Sequence, residues 1–287
     1  MSEQGPVRAR WPDGRWHFQH GPIDLVIGVD GEARVVAAAL EDCWLEFTRV
    51  LQRLVVELQA LRAPWTPALR LQGPVAARMG RACAPYVHHF GLFITPMAAV
   101  AGAVADHLVG TLRKNGIERA YINNGGDIAL HLTPGSSFEV GVVANAYAPS
   151  LDGSLRIDAS VPVRGVATSG WRGRSFSLGI ADSVTVLAAD AASADAAATM
   201  IANAVDIENA AIERAPADSL RDDTDLGSRL VTVGVPALPA TEVDRALDNG
   251  LAFARRCCDR KLIHAALLTL QGRTRMLNPH FAEAVLT

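Results

Sequence analysis

The sequence predicts an α+β fold built from short apolar strands and a few long amphipathic helices. Apolar segments of strand length recur along the chain, and two long stretches repeat apolar residues at helical spacing. Asn124-Gly125 lies between two apolar runs, which is the strongest short-range signal for a β-hairpin. We expect one domain over residues 1–287, or two closely associated halves of about 1–135 and 136–287.

Composition excludes several classes of partner. The chain has 287 residues, of which 49% are hydrophobic and 20% are charged, so it can bury a large core. Its formal net charge of -3 argues against a nucleic-acid partner. A membrane-spanning helix needs about 18 or more consecutive apolar residues, and the sequence contains no such run. We therefore expect no membrane span.

The cysteines and the N-terminus predict a cytoplasmic protein. Cys43, Cys83 and the adjacent Cys257 and Cys258 show neither the spacing of a redox motif nor that of a zinc site. Adjacent cysteines rarely bridge each other, so a reducing compartment is the simpler interpretation. The first residues lack the apolar segment of a signal peptide. The oligomeric state stays open, and a homo-oligomer is compatible with the sequence.

The first part of the chain is expected to contain a strand and a long helix. Residues 23–28 alternate in apolar character, as in a strand. From Ala33 to about residue 61 the apolar residues follow helical spacing, and two prolines end the helix soon afterwards. We interpret residues 62–92, which are rich in proline and arginine, as a long connection.

A helix rich in small residues and a hairpin follow. Thr95 and Pro96 suit the cap and the first position of a helix that begins there. The small residues of its first turns would allow close approach by a ligand or by a neighbouring backbone. Strands over residues 120–123 and 128–132 are expected to flank a turn at residues 124–127.

The remainder of the chain is predicted to alternate strands with two helices. Before the Ala-rich helix, the predicted elements are strands at 138–144 and 155–161 around a loop at 145–155, a strand that ends in Thr168-Ser169-Gly170, and a strand at 183–189. The Ala-rich helix begins at Ser193. After it come a charged linker at 215–227, a strand at 230–235, a helix at 243–258 and a hairpin formed by strands at 262–270 and 275–277.

The Ala-rich helix carries a candidate metal site. Ser193 suits the N-cap position, which would place Asp195 in the first turn, where the helix dipole favours a carboxylate. Asp195 and Thr199 are four residues apart and therefore share one helical face. A carboxylate and a hydroxyl presented together suit Mg²⁺, which prefers oxygen ligands. The dipole alone would also explain Asp195 without any metal.

Three segments resemble one known family in the same order. They are residues 95–108 (TPMAAVAGAVADHL), residues 122–130 (INNGGDIAL) and residues 168–199, where TSG and a loop precede SVTVLA and ADAAAT. The pattern resembles the ApbE family, which attaches FMN from FAD to target proteins, and it resembles the UPF0280 branch more closely. The resemblance covers residues 75–210. It implies mixed or antiparallel sheets with long helices packed on one face, as in T-fold-related proteins.

The resemblance implies a flavin-nucleotide site with Mg²⁺. Contacts to FAD or FMN would come from the hairpin turn and from the stretch that begins with TSG, and the metal would bind to the Ala-rich helix. The residues concerned are Asn124, Gly125, Gly126 and Asp127 in the turn, Thr168, Ser169, Gly170, Arg172 and Arg174 in the TSG stretch, and Asp195 and Thr199 for the metal. The Gly-Gly turn also has an ordinary explanation, since such turns need no ligand.

Two departures from the family pattern bear on catalysis. Ala101-Gly102 stands where the family has Lys-Gly, and residues 176–182 (FSLGIAD) replace a segment that usually carries histidine and an Asp-Pro-Thr-Gly-like motif. The expected function is flavin-nucleotide binding with Mg²⁺-dependent FAD pyrophosphate cleavage or FMN transfer to an acceptor, which could be a protein, a small molecule or water. The alternatives are a non-catalytic flavin carrier and an enzyme that acts on another small molecule in a catabolic pathway through the same pocket.

Overall fold

A computed structural model describes residues 5–142 and 153–278, which form two compact units. The predicted loop at 145–155 lies largely outside the described residues. The first unit comprises Met1–Ser137, Asp158–Val166 and Ala189–Asp195, and the second comprises Phe138–Ile157, Ala167–Ala188 and Ala196–Thr287. The expectation of one domain over residues 1–287, or of two closely associated halves of about 1–135 and 136–287, stays a prediction.

The described residues contain strands and helices that are numbered here in chain order. The strands are β1 (Val7–Arg10), β2 (Trp16–His20), β3 (Ile23–Gly31), β4 (Ile117–Asn124), β5 (Asp127–Leu132), β6 (Ser137–Val142), β7 (Gly153–Asp158), β8 (Gly165–Ser169), β9 (Ser183–Ala188), β10 (Glu213–Pro216), β11 (Leu230–Gly234), β12 (Ala265–Leu270) and β13 (Arg273–Leu277). The α-helices are α1 (Ala33–Val56), α2 (Leu58–Arg62), α3 (Pro74–Phe90), α4 (Val100–Val109), α5 (Ala191–Ala204), α6 (Ala217–Leu220) and α7 (Ala240–Asp259). Two 3-10 turns flank α4, at Pro96–Ala99 and Gly110–Leu112.

In the first unit, β1 to β5 form an antiparallel sheet with neighbours in chain order, and β5 also pairs with the start of β8. Along the second half of β4, Ala120, Ile122 and Asn124 are buried while the residues between them are half-buried. This alternation places one face of the sheet against a core. α4 packs on β4 and β5, and α1 packs on β2 and β3. The prediction of an α+β fold with antiparallel strands and helices on one face is confirmed.

The helices before α4 differ from the prediction. The predicted helix at 33–61 breaks at Glu57, whose carboxylate accepts hydrogen bonds from the backbone amides of Gln72 (2.8 Å) and Gly73 (2.7 Å). The long connection predicted at 62–92 is wrong over its second half, because α3 occupies it. The prediction was wrong because it took the prolines as signs of a loop. Pro74 lies at the first helical position, where the missing backbone N–H has no partner to lose, and Pro85 is tolerated inside the helix.

The segment predicted to start a helix at Thr95 begins as a 3-10 turn, and the α-helix proper starts at Val100. The small residues here serve packing against a neighbouring backbone. A Cβ atom at Gly102 would lie 2.2 Å from the carbonyl oxygen of Ala191 at the start of α5. Because no side chain fits in that space, the close approach of α4 to α5 requires glycine.

In the second unit, β9, β12 and β13 form an antiparallel sheet, and α7 packs on β12 and β13. All six residues of β9 are buried, which confirms the buried strand predicted at 183–189. The predicted helix at 243–258 lies within α7, and the terminal hairpin is β12 and β13. The charged stretch at 215–227 is not a plain linker, since it holds the end of β10 and the short α6.

Candidate functional site

The start of α5 differs from the sequence prediction in a way that changes the role of Asp195. α5 begins at Ala191, and Oδ1 of Asp190 accepts a hydrogen bond from the Ser193 amide at 2.8 Å. Asp190 therefore takes the N-cap role that was predicted for Ser193. No acidic residue lies in the first turn, so Asp195 belongs to the second turn. The predictions of a Ser193 cap and a first-turn Asp195 are wrong, because an equally good capping residue precedes Ser193.

A second carboxylate, from α4, also binds the start of α5. Asp106 accepts hydrogen bonds from the amides of Ala191 (3.1 Å) and Ala192 (2.8 Å), one on each oxygen. Burial raises the pKa of Asp106 to about 6, and repulsion from Asp190 adds to this, while the two amides and Arg78 act in the opposite direction. The free amides of the helix are thus bound by Asp106 and Asp190, and the helix dipole does not explain Asp195.

Asp195 faces the backbone of α4. Its Oδ2 accepts a hydrogen bond from the Gly102 amide at 3.0 Å. Burial raises the pKa of Asp195 well above its usual range, and repulsion from Asp127 raises it further, while backbone hydrogen bonds from Gly102 and Ala101 lower it. A carboxylate in this environment can bind a cation, which would offset the repulsion, or hold a proton and donate it in a hydrogen bond.

The β4–β5 hairpin meets the same part of α4. The Asn124 side-chain amide donates a hydrogen bond to the Ala101 carbonyl at 3.1 Å, and Asn124 pairs with Asp127 across the turn. Gly125 and Gly126 form the turn between them at φ angles of 66° and 116°, and both are exposed. The predicted hairpin is confirmed, and its glycines are required by the backbone.

We call Ala101, Gly102, Asn124, Asp127 and Asp195 the Asp195 cluster. It contains residues from each of the three segments that carried the family resemblance, and all five of its residues belong to the first unit. The sequence predicted Asn124, Asp127 and Asp195 as site residues, but it gave no sign that the Ala101–Gly102 backbone holds Asn124 and Asp195 together. Such a contact depends on packing between distant segments, which no local pattern encodes.

The second group of predicted flavin contacts lies in the second unit. The Thr168 hydroxyl lies 2.9 Å from the Thr185 hydroxyl, so it is bonded within the sheet. A Cβ atom at Gly170 would lie 2.3 Å from the Asp182 carbonyl oxygen, so the chain itself requires glycine there. Ser169 is half-buried. The Thr-Ser-Gly segment thus has structural partners of its own.

Of the two arginines predicted as flavin contacts, Arg172 is bound to other protein groups. Arg172 donates a hydrogen bond from Nε to Asp182 Oδ1 at 2.9 Å, and its guanidinium lies 4.5 Å from the centre of the Trp171 ring. Arg174 is exposed. The structure therefore fixes the Arg172 side chain at the surface of the loop and leaves Arg174 accessible to solvent.

The predicted flavin contacts divide between the two units, and their joint role stays a prediction. The same holds for the metal pair, since Asp195 belongs to the first unit and Thr199 to the second. Over residues 5–142 and 153–278, no group of three or more His, Cys, Asp or Glu side chains is arranged to hold a metal ion. A metal at Asp195 would therefore rely on few protein ligands and complete its coordination with water or substrate oxygens.

Comparison with known proteins identifies the family. A family model described as "AbpE bacteria" matches residues 8–276. The chain belongs to this ApbE family. Curated UPF0280 proteins from archaea are similar to it, which confirms the predicted branch. They include one from Methanosphaerula palustris, 33% identical over 196 residues (67% of this chain and 77% of the relative), and one from Methanothermobacter thermautotrophicus, 35% identical over 190 residues (61% and 70%).

Solved structures of ApbE proteins are also similar to this UPF0280 chain. The ApbE protein of Thermotoga maritima has a TM-score of 0.48 at 14% identity and covers 96% of this chain and 97% of its own. The flavinyl transferase ApbE of Pseudomonas stutzeri, in its apo form, has a TM-score of 0.45 at 13% identity and covers 96% and 94%.

Two further expectations can be compared with the described residues. No helix among them combines the length and the apolar character needed to cross a membrane. None of Cys43, Cys83, Cys257 and Cys258, which all lie in the described part of the chain, forms a disulfide. Burial raises the pKa of Cys43 to about 11 and that of Cys257 to about 12, so both stay protonated at neutral pH and are poor nucleophiles.

Proposed function

We propose that this UPF0280 protein binds a flavin nucleotide, FAD or FMN, together with Mg²⁺, and that it cleaves the FAD pyrophosphate or transfers the FMN half. The observation that carries the proposal is the Asp195 cluster. It brings Asp195 of the ADAAAT segment and Asp127 of the GGD turn to the same place on α4. Membership of the ApbE family supports the flavin assignment.

The donor groups of the cluster fit Mg²⁺. Asp127 and Asp195 repel each other in a partly desolvated environment, and a divalent cation would offset this repulsion. Mg²⁺ commonly binds through one or two carboxylates, with waters and phosphate oxygens as its other ligands. Asp195 would hold it beside Asp127, with Thr199 as the hydroxyl ligand predicted from the sequence. When bound, the metal would neutralise charge that develops on the pyrophosphate.

The backbone of the turn at Gly125 and Gly126 would contact the nucleotide. A Cβ atom built at Gly126 has no other atom within 4 Å, so the space beside it is open. A ligand could therefore approach the backbone there. Asp127 could accept a hydrogen bond from a ribose hydroxyl or from the adenine amino group.

In the proposed reaction, an acceptor oxygen forms a bond to the phosphorus of the FMN half while the bond to the bridging oxygen breaks. AMP leaves with that oxygen. A protein hydroxyl as acceptor would give a flavinylated protein, and water as acceptor would give free FMN. The proton of the acceptor passes to a base or to solvent.

One observation favours a non-catalytic flavin carrier as the second candidate. Asp182 is the acidic residue of the segment that departs from the family pattern. Its carboxylate accepts hydrogen bonds from Arg172 Nε (2.9 Å), Trp171 Nε1 (3.3 Å) and the Gln271 amide (2.6 Å). Because both of its oxygens are engaged by protein donors, Asp182 is poorly placed to take a proton from an acceptor.

The decisive experiment titrates the purified protein with FAD and with FMN, with and without Mg²⁺, and follows flavin fluorescence. We expect saturable binding that Mg²⁺ strengthens. AMP is then measured by chromatography after incubation with FAD and Mg²⁺. AMP with a flavinylated protein indicates transfer, AMP with free FMN indicates hydrolysis, and intact FAD despite binding indicates a carrier. Absence of flavin binding at millimolar ligand would refute the proposal.

A further inference from the structure

A polar cavity of about 430 Å³ lies within the first unit. None of the flavin contacts predicted from the sequence lines it, and His131 follows Asp127 by four residues, about 13 Å along β5 at the usual rise of a strand. Its volume falls in the range of small-molecule sites, about 300–1,000 Å³. The charged and polar side chains that line it are Arg78, Asp106, Arg113, His131, Arg164 and Asp190.

The two acidic side chains of the cavity are already bound to the backbone. Both oxygens of Asp106 accept amide hydrogen bonds from the first residues of α5, and Asp190 Oδ1 accepts one from Ser193. The positive end of the α5 dipole and these amides offset the charge of the two carboxylates. The hydrogen bonds stabilise the charged carboxylates, and the charge of Asp106 still attracts Arg78 across the cavity.

The basic side chains repel one another. After burial itself, the positive charges of Arg113 and Arg164 lower the pKa of His131, against a backbone hydrogen bond with Ile117 that raises it. Burial lowers the pKa of Arg164, and the charge of Arg113 lowers it further, while Asp158 raises it. Hydrogen bonds to three backbone carbonyls hold the Arg164 guanidinium in place. The cavity lining carries three arginines and two carboxylates, so positive charge is in excess, and Asp158 offsets part of it at Arg164.

Two buried nitrogen atoms on the lining residues have no hydrogen-bond partner. They are Nε of Arg78 and Nε2 of His131. The nearest approach of Arg78 to a carboxylate joins Nη1 to Asp106 Oδ2 at 4.0 Å, which is longer than a hydrogen bond. Leaving a buried polar atom unpaired is destabilising. An oxyanion in the cavity would accept a hydrogen bond from Arg78 Nε. Its negative charge would also oppose the positive charges of Arg113 and Arg164 that lower the pKa of His131.

We propose that this cavity binds the anionic group, a phosphate or a carboxylate, of a small molecule, with Arg78 and Arg113 as its main contacts. Guanidinium groups suit both anions because their N–H donors lie in a plane and can bind two oxygens at once. Arg164 already makes three hydrogen bonds to backbone carbonyls and contributes mainly charge. The volume leaves room for an organic portion beyond the anion. This site is separate from the proposed flavin site.

The test measures binding of inorganic phosphate by calorimetry, with malonate as the carboxylate probe and chloride at equal ionic strength as the reference. We expect saturable binding of at least one oxyanion to the wild-type protein. Arg113→Gln and Arg78→Gln should each weaken it at least tenfold. Arg113 is exposed, so its variant is expected to fold normally. Arg81→Gln is the matched control, because Arg81 is an exposed arginine on the same helix as Arg78.

Each outcome decides the question. Phosphate binding that depends on Arg78 and Arg113 supports a phosphorylated ligand, and malonate binding with the same dependence supports a carboxylate. A response equal to that of chloride, or equal in all three variants, overturns the proposal. FAD affinity is measured in parallel. If Arg113→Gln weakens FAD binding by the same factor as oxyanion binding, the cavity is part of the flavin site and the claim of a separate site fails.

Discussion

Asp106 and Asp195 are two buried or half-buried carboxylates of the first unit with different roles. Burial raises the pKa of both. Asp106 uses both oxygens to bind amides of α5, so it is a structural group. Asp195 receives amide hydrogen bonds from α4 but also faces a second carboxylate, Asp127. The comparison shows that the hydrogen-bond partners of a carboxylate, more than its place in a sequence motif, decide whether it can bind a ligand.

The two acids also form a reciprocal arrangement. Asp106 on α4 binds the backbone of α5, and Asp195 on α5 binds the backbone of α4 at Gly102. Each helix therefore positions the acid of the other. Because the start of α5 is already satisfied by Asp106 and Asp190, a change at Asp195 should affect ligand binding more than folding, and a change at Asp106 should do the reverse.

The largest expected effect is on stability, from Asp106→Ala. It leaves the amides of Ala191 and Ala192 without an acceptor, and each buried unsatisfied donor costs about 1–3 kcal/mol. We expect a loss of about 3 kcal/mol in the free energy of unfolding, measured by urea denaturation. Asp222→Ala, at an exposed position, is the control and should change it by less than about 0.5 kcal/mol. A loss in Asp106→Ala as small as in the control would contradict the structural role.

The pH dependence of stability tests the same residue. The folded pKa of Asp106 is about 6 against a usual 3.8, so the folded protein holds this proton more tightly than the unfolded chain. Its contribution is therefore fully present below about pH 4 and is lost as pH rises through about 6. We expect the wild type to lose about 1–3 kcal/mol over that range relative to Asp106→Asn, which cannot titrate. A constant difference between the two proteins would show that the pKa of Asp106 is ordinary.

Asp195→Asn should change ligand binding and leave the fold intact. The side-chain oxygen of the asparagine can still accept a hydrogen bond from the Gly102 amide. We therefore expect the free energy of unfolding to change by about 1 kcal/mol or less. Mg²⁺ affinity in the presence of FAD should fall about tenfold or more, because a charged ligand is lost. Calorimetric Mg²⁺ titration measures this, with Asp222→Asn as control. An unchanged Mg²⁺ response would remove the metal from the proposal and leave Asp195 as a structural acid.

The smallest effect is expected for Asp190→Ala. Loss of an N-cap costs about 1 kcal/mol, but the change also removes a charge that repels Asp106. We expect a net loss below about 1 kcal/mol and a lower pKa for Asp106, which NMR titration of the carboxyl carbon can follow. If the pKa of Asp106 stays unchanged or rises, repulsion from Asp190 does not contribute to its shift and burial alone accounts for it.

Local signals made part of the molecule predictable. The hairpin at Gly125 and Gly126 follows from backbone freedom and flanking apolar runs, and the buried strand β9 follows from its composition. These features depend on residues adjacent in sequence. The family pattern also predicted Asp127 and Asp195 as site residues, and in the structure Asp127 is close enough to raise the pKa of Asp195 by repulsion.

Partners that are distant in the chain could not be predicted. The cap of α5 was misassigned because Asp190 and Ser193 are equally good caps, and the choice depends on where Asp106 meets the helix. The sequence predicts Arg172 as a flavin contact, but its hydrogen bond to Asp182 depends on a residue ten positions away. The cavity lined by Arg78 and Arg113 draws on segments far apart in sequence, and no motif marks it.

Gly102 restricts which amino-acid substitutions the protein can accept. A Cβ atom there would lie 2.2 Å from one backbone oxygen and 2.9 Å from a backbone nitrogen of the neighbouring helix. In an ordinary core, a larger residue can be accommodated by trimming a neighbouring side chain. Here the obstacle is main chain, which no substitution can make smaller. Position 102 therefore has no compensating partner, and any replacement must move a whole helix and the carboxylate that Gly102 holds.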